Sequence, residues 1–191
     1  MTRATFFACA ALLVLCGPAA ADEAITGFGS DVSVNADGSL DVVEDITVEV
    51  VEGGTIKRGI RRNLPSGGRL CTAVTAVERD GVPEQFAVFD SADGIMVRIG
   101  NADVMLVPGT HRYRITTHVQ GAIDFGPQDD RLDWPVTGWD WQLGIDKAEA
   151  VVRLPPGAHI NEFRAMAGSL QDMRSEDATA VAEDNVLHAG S

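Results

Sequence analysis

From Leu40 to Val51 the chain reads as one long strand, alternating as far as Val50. Leu40, Val42, Ile46, Val48 and Val50 share one parity, and Asp41, Asp45, Thr47 and Glu49 share the other. Successive strand side chains point to opposite faces, so this period of two predicts a strand with one face on a core. Glu44 breaks the pattern by standing on the apolar parity. A carboxylate there needs a cation, hydrogen bonds or water. The nearest cations are Lys57, Arg58, Arg61 and Arg62. Glu44 is expected to pair with Arg58 or Arg61, fastening a basic loop to the sheet; solvation of Glu44 at a sheet rim is the alternative.

The same reading gives further strands at 25–34, 69–78, 84–89, 95–99, 104–107, 111–119, 148–154 and 159–166. In 111–119, Tyr113, Ile115 and Val119 point inward, and Arg112, Arg114, Thr116 and His118 point outward. Turns separate the strands at Asn35-Ala36-Asp37-Gly38, Asp80-Gly81, Asp93-Gly94 and Pro108-Gly109, residues that tolerate or favour turn conformations. No helical period occurs before Pro155. Short strands at roughly ten-residue spacing predict an all-β fold, an antiparallel β-sandwich. Residues 22–156 form that domain in this reading. Residues 157–191 are polar and acidic, and read as a less ordered C-terminal segment, an incomplete second unit or flexible tail.

The first 21 residues read as a signal peptide. Arg3 supplies the charge, 6–15 the apolar run, and Ala19-Ala20-Ala21 the cleavage site before Asp22. The apolar run is too short to span a bilayer as a helix. Cys16 follows Leu15 where lipidation calls for a small residue, so lipidation is not expected. The chain is therefore expected to be exported, to the periplasm or the outer face of the cytoplasmic membrane.

Its net charge is −13. Removing residues 1–21, which hold Arg3 and no acid, makes it −14. That balance argues against nucleic acid as a partner. Cys71 is the lone cysteine beyond the leader and reads as a small core residue, without a partnered histidine to make it a nucleophile. The histidines show no metal-ligand spacing. Ser33, Asn35, Asp37, Gly38 and Glu44 come near a calcium-loop spacing, but strands flank them and a hairpin turn explains them. No metal and no cofactor are expected.

Two stretches remain. The basic cluster 57–62 could meet anionic lipid headgroups; neutralisation by Glu44, Asp45 and Glu52 is preferred, because the chain is so acidic. Trp134, Trp139 and Trp141 lie among Asp129, Asp130, Asp133 and Asp140. Exposed indoles beside carboxylates suit sugar rings, so these three tryptophans are the candidate binding residues. The preferred account has Trp134 and Trp141 plugging one end of the sandwich. The aspartates read as solvated rather than as a hydrolase's acid pair.

Three segments in order carry a resemblance: Asn35 with the run to Ile46; Arg58-Gly59-Ile60-Arg61-Arg62 with Leu64-Pro65; and Leu132-Asp133-Trp134-Pro135-Val136-Thr137-Gly138-Trp139-Asp140-Trp141 with the strand ending at Pro155. Together they resemble domain-of-unknown-function family 2207, the N-terminal extracytoplasmic domain of predicted bacterial membrane proteins. The resemblance implies a β-rich domain outside the membrane, usually followed by transmembrane helices, with no established activity. This chain departs from it in having no second apolar run of spanning length; membrane attachment is expected only if the native chain continues past Ser191. The expectation is a non-catalytic envelope domain acting in binding or assembly, with an envelope protein or a glycan as partner. The alternative is a soluble periplasmic glycan- or peptidoglycan-binding module.

Overall fold

The computed structural model describes residues 22–169, 172–174 and 177–191. The expected leader, residues 1–21, lies outside the described residues. In chain order the strands are β1 (Ala24–Val34), β2 (Leu40–Val50), β3 (Ile60–Pro65), β4 (Cys71–Arg79), β5 (Val82–Pro83), β6 (Phe86–Ser91), β7 (Gly94–Ile99), β8 (Gly109–Gln120), β9 (Ile123–Asp124), β10 (Arg131–Leu132), β11 (Ala148–Arg153), β12 (Ala167–Ser169), β13 (Asp172–Arg174), β14 (Thr179–Glu183) and β15 (Val186–Gly190). No helix occurs among the described residues, and hence none long and apolar enough to cross a membrane.

Eight strands form the main sheet in the order β14-β15-β11-β1-β2-β8-β4-β5. Every neighbouring pair is antiparallel except β1 with β11, which run parallel. A three-stranded antiparallel sheet, β3-β7-β6, packs on one face of it. The alternation of β2 is realised in full: Leu40, Val42, Glu44, Ile46, Val48 and Val50 are all buried. Asn35 to Gly38 makes the hairpin turn into β2. Gly38 takes φ +83° there, and the Asp37 carboxylate accepts from the Ser39 N–H (2.9 Å) and hydroxyl (2.7 Å).

Two apolar clusters form the core. The larger joins Ile25, Phe28, Ile46, Val48, Tyr113 and Ile115 of the main sheet to Ile60, Leu64, Val97 and Ile99 of the small one. The smaller joins Val32, Leu40, Val42, Val119 and Ile123. Leu132 and Trp134 pack on the smaller cluster, and Val136, Trp141, Leu143 and Ile145 on the larger. The segment between β10 and β11 thus spans both.

Several expectations change. Residues 60–65, read within a basic loop, are a strand, because Ile60, Arg62 and Leu64 point inward and one of the three is charged. Residues 104–107 contain no strand: Val104, Met105 and Val107 are exposed, in a loop before Pro108. Residues 159–166 contain none either. Cys71 is exposed, because it sits at the start of β4 on the parity opposite buried Thr72. The C-terminal part is the least regular, with no strand in 154–166, yet 179–190 is not a loose tail. β15 pairs with β11 from Glu149↔Gly190 to Arg153↔Val186, and β14 pairs with β15.

Candidate functional site

Glu44 on β2 and Arg62 on β3 face each other between the two sheets. Each side chain is only 1% exposed. The partner is Arg62 and neither Arg58 nor Arg61. On β3, position 62 shares the inward parity of Ile60 and Leu64, whereas Arg61 points out and Arg58 lies exposed before the strand begins. The pairing is bidentate: Arg62 Nε donates to Glu44 Oε2 at 2.8 Å and Nη2 to Oε1 at 2.6 Å. Nη1 donates to the carbonyls of Asn63 (3.0 Å) and Thr137 (2.8 Å), and Nη2 reaches that of Val136 at 3.5 Å. All five guanidinium N–H groups therefore have acceptors.

The segment 134–141 closes around this pair. The Trp141 indole N–H donates to Thr137 O at 2.8 Å. The Arg62 guanidinium lies 5.5 Å from the Trp141 ring centre and 5.4 Å from that of Phe28, and the two rings meet edge to face at 6.0 Å. Gly138, at φ +69°, leaves room for the guanidinium; a Cβ there would collide with Arg62 Nη1. Glu44 lies along β2 between Val42, of the smaller cluster, and Ile46, of the larger. The ion pair is thus a polar seam between two apolar clusters, tied to all three segments that carry the family resemblance.

Trp134, Trp139 and Trp141 are all partly buried. Trp134 is turned into the smaller cluster, its indole N–H buried without an acceptor. Burial pushes the Tyr113 hydroxyl up to about 12. Asp129 accepts from the Asn161 amide at 2.7 Å, and Asp133 lies 3.6 Å from Arg131; both aspartates are exposed. Glu44, the last position of the near-calcium spacing, is held by Arg62 instead of closing a loop.

The outer face of the main sheet is a polar ladder. Asp45 bonds Arg114 (2.9 Å) and Arg112 (3.2 Å). Asp41 bonds His118 (2.8 Å), and Asp31 bonds Arg153. Burial raises the Asp45 carboxyl, but the bonds and charges of Arg114 and Arg112 outweigh it and hold it below the ordinary range. The bond from His118, with one from Asn35, holds Asp41 low. Asp45, expected to neutralise the 57–62 cluster, is thus bound to Arg112 and Arg114, and only Arg62 of that cluster meets Glu44. Sequence reasoning missed Arg62 as the partner; the signal available was its parity with Ile60 and Leu64.

Residues 24–189 match the family model described as "Predicted membrane protein (DUF2207) N-terminal domain". The uncharacterized protein YciQ of Escherichia coli is 30% identical over 135 residues, which are 66% of this chain and 21% of YciQ. The chain therefore spans about a fifth of the length of that curated relative. Among solved structures, native leukotriene A4 hydrolase from Saccharomyces cerevisiae is 12% identical with TM-score 0.47, covering 89% of this chain and 29% of that one. The M1 zinc metallopeptidase of Deinococcus radiodurans is 12% identical with TM-score 0.45, covering 88% and 38%. Likeness at that level says nothing of this chain's activity.

Proposed function

The chain belongs to the DUF2207 family of N-terminal domains of predicted membrane proteins, and on that premise we propose that it is the exported, extracytoplasmic part of a bacterial envelope protein, non-catalytic and acting in binding or assembly. The observation that carries this is the use made of the three motif segments. Their most chemically capable side chains, Glu44, Arg62 and Trp141, are bound to one another in the interior. A reactive centre presents its groups to a substrate; here they join two sheets and a loop. The leader-like residues 1–21 support export. Binding or assembly then belongs to the surface, not to the motif residues. A soluble glycan-binding module built on Trp134, Trp139 and Trp141 gains no support from the geometry, since all three indoles are partly buried and Trp134 and Trp141 pack on the core.

Exposed Cys71 gives a direct test. In spheroplasts expressing the chain, a membrane-impermeant maleimide is expected to label wild type and not Cys71→Ser. Labelling of Cys71 only after lysis would place the domain inside the cell and defeat the export reading.

A further inference from the structure

Eight arginines and lysines of this acidic molecule are ion-paired, whereas Lys57, Arg58, Arg61, Arg98 and the more distant-in-sequence Arg164 have no carboxylate within salt-bridge distance among the described residues; the first four gather on and around β3 and β7. Glu23 lies near Lys57, but its two oxygens accept the N–H groups of Thr55 and Ile56. Arg61 and Arg98 stand directly opposite each other on β3 and β7, on the outward face. Like charges across a strand pair destabilise a sheet. Among the described residues neither has a hydrogen bond or ion pair through its side chain; the Arg98 guanidinium lies over Phe89, which is itself exposed, at 5.3 Å. Local rules broken without structural compensation mark functional surfaces.

An apolar loop adjoins these cations. Leu106 N–H donates to Lys57 O at 2.8 Å, joining the loop between β7 and β8 to the basic segment. That loop exposes Val104 by 50%, Met105 by 54% and Val107 by 73%. Exposed aliphatic side chains beside unpaired cations suit the boundary between headgroups and acyl chains. The sheet register adds a direction. β15 runs from Val186, level with Asp41 of β2, to Gly190, level with Asp45, and so toward the end where β2 meets β8 at Val50↔Gly109. That is the end bearing the loop, so β15 points toward it.

We propose that this end of the sandwich rests on an anionic lipid bilayer, with Lys57, Arg58, Arg61 and Arg98 at the headgroup phosphates and Val104, Met105 and Val107 at the acyl boundary. The proposal deepens the reading of the chain as a membrane protein's extracytoplasmic domain and rests on it. The molecule as a whole carries net charge −13, so attraction to such a bilayer rests on the local cations, against exposed Asp103 in the same loop, and weakens as salt rises.

The chain from Asp22 onward contains every strand and both clusters found among the described residues, and is the form to test. It is expected to sediment with phosphatidylcholine vesicles containing phosphatidylglycerol, and not with phosphatidylcholine alone. Each charge near the surface is worth roughly a factor of five in binding. Reversing both arginines, Arg61→Glu with Arg98→Glu, is therefore expected to weaken sedimentation more than tenfold, and Met105→Asp with Val107→Asp to weaken it as well. Inorganic phosphate should compete no better than chloride at equal ionic strength. If a reversal variant fails to fold by circular dichroism, Arg61→Gln with Arg98→Gln replaces it and must still weaken binding. Folded wild type that ignores anionic vesicles overturns the proposal and leaves an acidic protein as the partner. Unchanged binding by the variants overturns it, and phosphate-specific competition replaces a lipid surface with a site for a single anion. The maleimide test is independent, so failure of export and failure of lipid contact are distinguishable.

Discussion

Glu44 and Arg62 form a buried bidentate pair, and removing either partner leaves the other charged and dry. Breaking such a pair from one side costs about 3–5 kcal/mol. Glu44→Gln and Arg62→Met are each expected to lower the unfolding free energy by an amount in that range, read as a fall in the urea midpoint at unchanged slope. Combining Glu44→Gln with Arg62→Met removes both charges, so the double variant should lose less than the sum of its singles, a coupling that a mutant cycle measures directly. Additive losses would mean that the pair is solvated or absent. Gly138 belongs to the same unit. Gly138→Ala meets both an unfavourable positive φ and the guanidinium, so its cost should exceed the roughly 1 kcal/mol of the backbone effect alone. Denaturation of this one variant reports whether the loop is held to the arginine. At this scale the sequence disclosed the anomaly and not its resolution. A glutamate on an apolar parity announced a buried partner. Which of four nearby cations it met depended on where β3 began, and the charge at position 62 disguised that strand as a loop.

At the scale of elements, clean alternation was readable where one face met the core and the other met water, as in β2 and β8, whereas β1 switches parity at a bulge between Ile25 and Gly27. The misreadings share a physical cause. Val104, Met105, Leu106 and Val107 are apolar without alternating, so hydrophobicity alone suggested a strand where Pro108 and exposure argue for a loop. β14 is built on Thr179-Ala180-Val181-Ala182, whose small residues give little contrast between faces. Its place came from β15 finding the open edge of β11, a long-range pairing that no local pattern encodes. β15 also covers that edge. Deleting 155–191 is therefore expected to expose the backbone groups of β11 and to cause self-association, seen as early elution or light scattering in size-exclusion chromatography. A monomer of unchanged stability after the deletion would mean that the last hairpin is dispensable.

For the whole molecule, charge organises the surface much as apolarity organises the interior, and it fixes how stability should respond to acid. Asp41, Asp45 and Asp80 are each held below their ordinary value of 3.8. Asp45 is held there by Arg114 and Arg112 against burial, and Asp80 by the Arg112 backbone N–H and His111 against burial. A carboxyl whose folded value is depressed binds its proton more readily in the unfolded chain. Its stabilising contribution is present above the unfolded value and is lost as pH falls through the folded one. Stability limited by these groups should therefore hold steady through neutral pH and decline only below about pH 4. Asp45→Asn tests the sign. It removes the partner of two arginines, so the variant should be less stable than wild type near pH 7, by the modest amount expected of a half-exposed network, and the two should converge as pH falls below 3.8 and through the lowered folded value at which the wild-type carboxyl protonates. The total charge was legible from composition, but its arrangement was not. Composition suggested that Glu44, Asp45 and Glu52 would neutralise the 57–62 cluster. The register of β2 against β8 instead commits Asp45 to Arg112 and Arg114 on one face and leaves Arg61 and Arg98 unanswered on another. If the acid profiles of wild type and Asp45→Asn run parallel at every pH, that division of charge is wrong, and with it the reason for treating the unpaired arginines as a surface set apart.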